Sequence, residues 1–289
     1  MLNAEYKGVK HAIGVMEFTN ESGWRGEWKL GGNLTMMLES ALYDSGRFVV
    51  VERENLGKVI VEQDLAASGR TAPAKKVAQT GKLRSARYLA KGAVMELEDG
   101  SSGGDAGVGI GGIRVGGGKK TAHISLIVTL VDTTTGAIIA KERIVGKASS
   151  NALKLGVSRG GVNADLGGFK KTPLGQATQE CVDQAVVFVA QKMKEIPKEG
   201  SVIKATSKGV IINRGSTFGV EIGQELIMQT EGEELLDPDT GEILGVEKGK
   251  VIGKLKIKTV NEKFSYCDVV EGEKEPQPST AVIFVDKKK

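Results

Sequence analysis

From Leu153 the chain reads Leu153-Lys154-Leu155-Gly156-Val157-Ser158, then Arg159-Gly160-Gly161, then Val162-Asn163-Ala164-Asp165-Leu166-Gly167. Apolar and polar residues alternate on both sides of a glycine turn, and a period of two is the repeat of a β-strand. Folded as a hairpin, the segment puts Leu153, Leu155, Val157, Val162, Ala164 and Leu166 on one face. Lys154, Ser158, Asn163 and Asp165 fall on the other. An earlier stretch obeys the same logic. Val108-Gly109-Ile110-Gly111-Gly112-Ile113-Arg114-Val115 is nearly palindromic, and a two-residue Gly-Gly turn pairs Ile110 with Ile113 and Val108 with Val115. Arg114 then shares the opposite face with Gly109. Two such hairpins in one domain have too few core-facing partners to be ordinary soluble sheet. An apolar-out, polar-in ribbon with strands of about 9–11 residues is the pattern of a transmembrane β-barrel wall. Four strands with bare edges do not survive in lipid, so the barrel has to be closed by several identical subunits. Composition keeps a second reading open: ten of the nineteen residues from Gly100 to Gly118 are glycine, as in a flexible linker.

Two motif readings of that glycine stretch fail on context. Gly107, Gly109 and Gly112 satisfy G-x-G-x-x-G, but the residues after Gly112 are strand-like, whereas a dinucleotide site needs a helix there. Gly116-Gly117-Gly118-Lys119-Lys120-Thr121 has Arg114 and Lys119 where a phosphate loop requires glycine. The rest of the inventory is as restrictive. Forty Lys and Arg against 36 Asp and Glu give a formal charge of +4, without the basic stripe of a nucleic-acid binder. Cys181 and Cys267 stand far apart, and only His11 and His123 are present, so neither a metal set nor a His-based triad can be assembled. No paired carboxylates or activated nucleophile emerge either, so no enzyme and no cofactor are expected. Asp237-Pro238-Asp239-Thr240-Gly241 echoes a calcium loop but lacks its further carboxylates, and reads as a turn. No run approaches the ~18 apolar residues of a membrane-spanning helix.

The fold class expected is α+β. Strands are read at His11–Phe18, Arg47–Glu52, Tyr88–Leu97, Ile124–Asp132 and Ala137–Gly146. Helices are read from Gly31 to Asp44-Ser45-Gly46, through Leu56, Val59, Ile60 and Gln63, and from Pro173 to about Met193. Leu174, Ala177, Cys181, Ala185, Phe188 and Val189 form one face of the last helix, which makes Cys181 a core thiol. This alternation is the grammar of an α/β layer, taken as a domain over 1–196 with hairpins at about 98–121 and 147–170. Ile196-Pro197-Lys198-Glu199-Gly200 reads as a linker. Beyond it, over 200–289, short strands and turn signals predict a small barrel or sandwich.

From Lys10 to Met193 the sequence resembles the curli secretion channel lipoproteins (CsgG-type) of the bacterial outer membrane. The resemblance rests on Asn20-Glu21-Ser22-Gly23, Asp44-Ser45-Gly46-Arg47-Phe48, Glu52-Arg53-Glu54-Asn55-Leu56, Gly107-Val108-Gly109, Gly111-Gly112, Val131-Asp132-Thr133-Thr134-Thr135-Gly136 and the Cys181 helix. It implies a ring of about nine protomers whose hairpins close a barrel of about 36 strands below a periplasmic α/β vestibule. Val108, Ile110, Ile113, Val115 and the apolar face of the second hairpin would meet lipid; Arg114, Lys154, Ser158, Asn163 and Asp165 would line the lumen. The region from Gly200 is similar to the C-terminal domain of flagellar assembly protein T, through Ile212-Asn213-Arg214-Gly215 and Gly219-Val220-Glu221-Ile222-Gly223.

Two departures from the curli pattern stand out. The start, Met1-Leu2-Asn3-Ala4-Glu5, is no signal peptide and holds no lipidated Cys, so either the protein is cytoplasmic or the numbered chain is a mature or trimmed form carrying an added Met; the resemblance implies the second, in the outer membrane with periplasmic domains. The stretch matching the channel's constriction loop, Trp24 to Leu34, is shorter than the family's and lacks its Tyr-Pro and Asn-Phe elements. Trp24, Arg25, Glu27, Trp28 and Lys29 are the constriction candidates; the alternative is that both Trp pack a loop against the core. The function expected is an oligomeric outer-membrane secretion pore for passive diffusion of unfolded polypeptide or another secreted polymer, with an accessory plug as a possible partner. The alternative is a non-pore periplasmic assembly or scaffold protein.

Overall fold

The computed structural model describes residues 6–25, 29–72, 77–101, 120–149, 172–241, 243–247 and 249–285. The chain divides into two compact units, the boundary falling between Ala190 and Gln191. The second unit also takes in Ala4–His11 and Gly46–Val49.

Apart from His11, Phe48, Val49 and the last turn of α3 from Gln191, the first unit is built from β1 (His11–Val15), β2 (Thr19–Asn20), α1 (Leu30–Asp44), β3 (Phe48–Val51), α2 (Leu56–Ala67), β4 (Tyr88–Ser101), β5 (Lys120–Asp132), β6 (Ile138–Ser149) and α3 (Pro173–Glu195). The sheet runs β3-β1-β4-β5-β6, with β2 also on β4. β1 joins β4 in parallel, whereas β4, β5 and β6 form an antiparallel meander. One face is the core: Ile13, Val15, Tyr88, Ala90, Val94, Ile124, Leu126, Val128, Leu130 and Ile144 are all buried. Their neighbours Lys91, Lys141 and Arg143 face solvent, the alternation of a sheet covered on one side.

Helix α1 buries Leu30, Leu34, Met37, Leu38 and Leu42. It is tied to the chain before it by Thr35, whose hydroxyl accepts the Phe18 N–H at 2.9 Å and donates to Gly31 O at 2.9 Å. Helix α3 starts with Pro173 at the position where its missing N–H costs nothing. Thr172 caps it, its hydroxyl accepting the Gly175 N–H at 3.0 Å. Leu174, Ala177, Cys181, Val182, Ala185, Phe188 and Val189 are buried. The helix comes close to β6 because that strand carries Gly146. A Cβ there would meet the Ala177 carbonyl and stand 2.8 Å from Cys181 Sγ. Two α3 side chains also occupy the side of β6 turned away from β5. Gln184 Nε2 donates to Val145 O at 3.0 Å, and the Glu180 carboxylate accepts the Lys147 N–H at 2.8 Å.

Asp132-Thr133-Thr134-Thr135-Gly136 and Asp237-Pro238-Asp239-Thr240-Gly241 make the same turn. In each, the Asp carboxylate accepts a backbone N–H two residues on, the Gly N–H donates back to the Asp carbonyl at 2.8 Å, and the Gly sits at φ 74° or 71°. The Asp237 carboxyl is held below its usual range by the N–H groups of Thr240 and Asp239. Its oxygens serve the backbone, which is the turn reading of that sequence.

The second unit is a closed six-stranded barrel. Its strands are β7 (Glu199–Thr206), β8 (Gly209–Ile212), β9 (Glu225–Gln229), β12 (Val251–Val260), β13 (Ser265–Gly272) and β14 (Ala281–Phe284), in the order β12-β13-β8-β7-β14-β9. A short hairpin, β10 (Glu234–Leu236) with β11 (Ile243–Val246), accompanies it. Val202, Val210, Ile212, Leu226, Met228, Leu255, Ile257, Cys267 and Val282 fill the interior, and Lys254, Lys256 and Lys258 alternate outward on β12. The exposed pairs Lys254–Glu271 and Lys258–Asp268, at 2.8 and 2.9 Å, add little stability. The stretch before β1 belongs here too: Lys10 N–H donates to Phe218 O at 2.7 Å. Gly219, at φ 73°, lies so close to the Gly8 carbonyl that no Cβ would fit.

The expected linker needs correcting. β7 already starts at Glu199, and Lys198 is buried, its carbonyl accepting the Phe284 N–H. Only Ile196, Pro197 and Lys198 lie between α3 and β7 outside regular structure, because barrel closure by β14 draws Glu199 and Gly200 into the ladder.

Candidate functional site

The end of the meander is where the two alternating segments leave the sheet. Ser101, the last residue of β4, is paired with Lys120, the first of β5. Thr121 on β5 is paired in turn with Ser149, the last residue of β6. Antiparallel order makes this unavoidable, since β4 and β6 run one way and β5 the other. Residues 102–119 therefore connect adjacent strands, and residues 150–171 start from the next strand at the same level. The two segments are thus emitted side by side.

Near that end, charge sits on the open face. Arg143 on β6 reaches across β5, with Nε donating to Ser125 Oγ at 2.9 Å and a second nitrogen 2.7 Å from Glu96 on β4. Both charged side chains are more than half exposed, at 57% and 52%, so the link orders three strands more than it stabilises them. His123 is half-buried and stands in register between Glu98 and Lys147. No group of metal-ligating side chains occurs among the described residues. No described helix is long and apolar enough to cross a membrane, which says nothing of strands.

Of the constriction candidates, three are described. Trp24 is half-buried, and Arg25 and Lys29 are exposed. Asn20 organises the turn that carries Trp24. Its Oδ1 accepts from Ser22 N and Oγ, its Nδ2 donates to the Trp24 carbonyl at 2.9 Å, and Gly23 takes φ 73°. That is the physical use of Asn20-Glu21-Ser22-Gly23. Glu27 and Trp28 lie outside the described residues. So do Val108, Ile110, Ile113, Val115, Leu153, Leu155, Val157, Val162, Ala164 and Leu166, together with Arg114, Lys154, Ser158, Asn163 and Asp165.

The two cysteines are core residues. Burial, then the neighbouring Glu180 carboxylate, pushes the Cys181 thiol up to about 12; burial and Asp268 do the same for Cys267. Neither is a nucleophile at neutral pH. Both are therefore expected to stay unlabelled by a thiol reagent at pH 8 in the native protein, and to react fully in denaturant. Labelling of either in the folded state, with the circular dichroism spectrum unchanged, would refute their placement.

Sequence reasoning missed Gly146, Glu180 and Gln184. For Gly146 a signal was present: a glycine inside a strand marks a close approach of another backbone. For the two edge-binding side chains there was none, since they act only once α3 is docked.

Fold and site together define an α/β sheet with a helical cover that delivers two long alternating segments from one end. Residues 2–208 match the family model described as curli production assembly/transport component CsgG, and the chain belongs to this family. Its members are transport or assembly components of the bacterial envelope, not enzymes. No curated protein matches the sequence. Among solved structures, the hypothetical protein CT253 from Chlamydia trachomatis is 13% identical, covering 63% of this chain and 97% of that one, with a TM-score of 0.39. A PelC dodecamer from Paraburkholderia phytofirmans is 15% identical over 62% of this chain and 90% of its own, with a TM-score of 0.29. Lipoprotein GNA1162 from Neisseria meningitidis is 14% identical over 64% and 99%, also at 0.29.

Proposed function

We propose that this chain forms an oligomeric outer-membrane secretion pore through which unfolded polypeptide, or another secreted polymer, diffuses passively. The observation that carries the reading is the paired ends Ser101–Lys120 and Thr121–Ser149. They release two segments side by side, and each of these alternates apolar and polar residues. Closed by about nine copies, the segments form a barrel whose outer face is apolar and whose lumen carries Arg114, Lys154, Ser158, Asn163 and Asp165. Trp24, Arg25, Glu27, Trp28 and Lys29 line the neck above it, where a plug protein could seat. The test is single-channel recording in planar bilayers with detergent-extracted, folded protein. Stepwise conductance is expected, with a slight anion preference from Arg114, Lys154 and Arg159; a silent bilayer at high protein loading would overturn the reading.

A periplasmic scaffold is the second reading, favoured by the closed barrel of residues 199–285, whose exterior carries exposed ion pairs. Its signature is a monomer that stays in solution without detergent and is cut by protease within 100–118 and 154–168.

A further inference from the structure

The sheet of the first unit is covered on one side, and the chemistry of its open side is uneven. Next to the turn at Asp132, three rows of paired residues cross β4, β5 and β6 on that side. They are Leu89, Val131 and Ile138; then Lys91, Thr129 and Lys141; then Ala93, Ile127 and Arg143. The rows hold three cations and no carboxylate. Arg143 is matched by Glu96 in the row beyond, at 2.7 Å. Lys91 and Lys141 are exposed and stand about 10 Å apart across β5, twice the spacing of neighbouring strands. Arg53 adds a cation at the side. A Cβ on Gly14, the β1 partner of Leu89, would meet Arg53 Cγ at 2.7 Å, so that side chain overlies the same face. Its guanidinium donates to the Glu52 and Arg84 carbonyls at 2.6 and 3.0 Å, which leave the positive charge in place. The bias continues into the chain that feeds β4: from Leu65 to Met95 the sequence holds seven Lys or Arg and no Asp or Glu. Between the cations the surface is apolar. Leu89, Ile127 and Val131 are half-buried, and Ile138 is 59% exposed.

We propose that this face binds an acidic, extended polypeptide, the secreted substrate, on its way to the pore. The site rests on the secretion reading above and names the class of polymer which that reading leaves open. The cations call for an anion, and the apolar residues between them select which. A polypeptide sets Asp or Glu against Lys91 and Lys141 and apolar side chains against Ile127 and Val131. An acidic polysaccharide offers the charge without the apolar side chains. Single-stranded nucleic acid is held by stacking on aromatic rings, and the three rows contain none. Strand β5 sets the path. The same face continues along it past Ser125 and His123 to Thr121, where the two alternating segments leave the sheet. Contacts between exposed charges are individually weak, which suits a substrate that must move on. Repetition around a ring turns weak contacts into capture.

Fluorescence anisotropy on the full chain in detergent tests this. The probe is a short labelled peptide that alternates Glu with Leu and Ser; its counterpart has Lys at every Glu. At low salt the Glu peptide is expected to bind and the Lys peptide not, and high salt should release it. Lys91→Glu combined with Lys141→Glu should weaken binding of the Glu peptide about tenfold. The same double variant should gain binding of the Lys peptide, a swap that misfolding cannot mimic. Unchanged affinity for the Glu peptide in the double variant, or equal binding of both peptides to the wild type, would overturn the site. A Glu peptide with Ser at every Leu that binds as tightly, or dextran sulfate that competes as well as the unlabelled Glu peptide, would make the face a general polyanion surface and overturn the polypeptide assignment. Conductance in bilayers without peptide binding would overturn this site and leave the pore standing. Peptide binding beside a silent bilayer would remove the pore and keep the face as a site for acidic peptide.

Discussion

Gly146→Val is expected to destabilise the first unit strongly. The new Cβ would meet the Ala177 carbonyl oxygen and crowd Cys181 Sγ, and a backbone carbonyl inside a 23-residue helix cannot rotate away. Helix α3 must lift from β6 as a body. This would loosen Leu174, Ala177 and Cys181 from the core and strain the bonds from Gln184 and Glu180 to Val145 and Lys147. Overpacking of this kind costs roughly 1–3 kcal/mol, and the upper end applies where the obstructing atom is main chain. The measure is the denaturant midpoint of the unit at unchanged slope. A compensating Cys181→Ala should recover only a small part, because the carbonyl remains. Wild-type stability in Gly146→Val would mean that helix and strand do not approach as described.

Leu155→Arg should have the second large effect, and it tests the pore directly. Under the proposed reading Leu155 faces lipid, and an arginine near the bilayer midplane costs roughly 2–4 kcal/mol in each subunit. The same penalty recurs in every copy of the ring, so membrane-inserted rings should vanish while the α/β unit still folds. Asp165→Arg is the counterpart. Under the same reading it lies on the lumen face, where the charge stays in water, so rings should persist and only the reversal potential should move toward anions. Equal insertion of both variants would mean that the two faces are assigned the wrong way round or not at all. Wild-type behaviour of both as soluble proteins would remove the hairpins from the account.

Much of the fold could be read in advance because its elements are long and periodic. The leucine face of α1, the Cys181 face of α3 and the alternation of β12 each specify one buried side on their own. The Asp-x-x-Thr-Gly turns were legible for a chemical reason, since a carboxylate bonded to its own backbone needs no partner elsewhere. Other features depended on tertiary pairing. Nothing local says that β1 inserts between β3 and β4, parallel to β4, or that β14 closes a barrel between β7 and β9. The stretch before β1 joins the second unit through one backbone bond and the tight fit of Gly219 on Gly8, neither of which leaves a periodic trace. Helix α2 shows the converse: its period was legible, but its exposure was not, since hydrophobic spacing tells which residues want cover and not whether the same chain provides it. Of the site, the side-by-side exit of the two segments was implicit in the strand order. The turn built by Asn20 beneath Trp24 was not.

The side chains that α3 lays along β6 bear on what a subunit can do before it meets any other. An outermost strand with free N–H and C=O groups is a template on which further strands add without limit, and such growth ends in fibres. At Lys147 and Val145 that template is already taken, because a carboxylate and an amide from the subunit's own helix hold the groups an incoming strand would need. Both bonds come from the helix that covers the sheet, and the one to the Glu180 carboxylate is charge-assisted, so they are made once α3 docks. Polymerisation through the sheet by strand addition is thereby shut off at that level of β6.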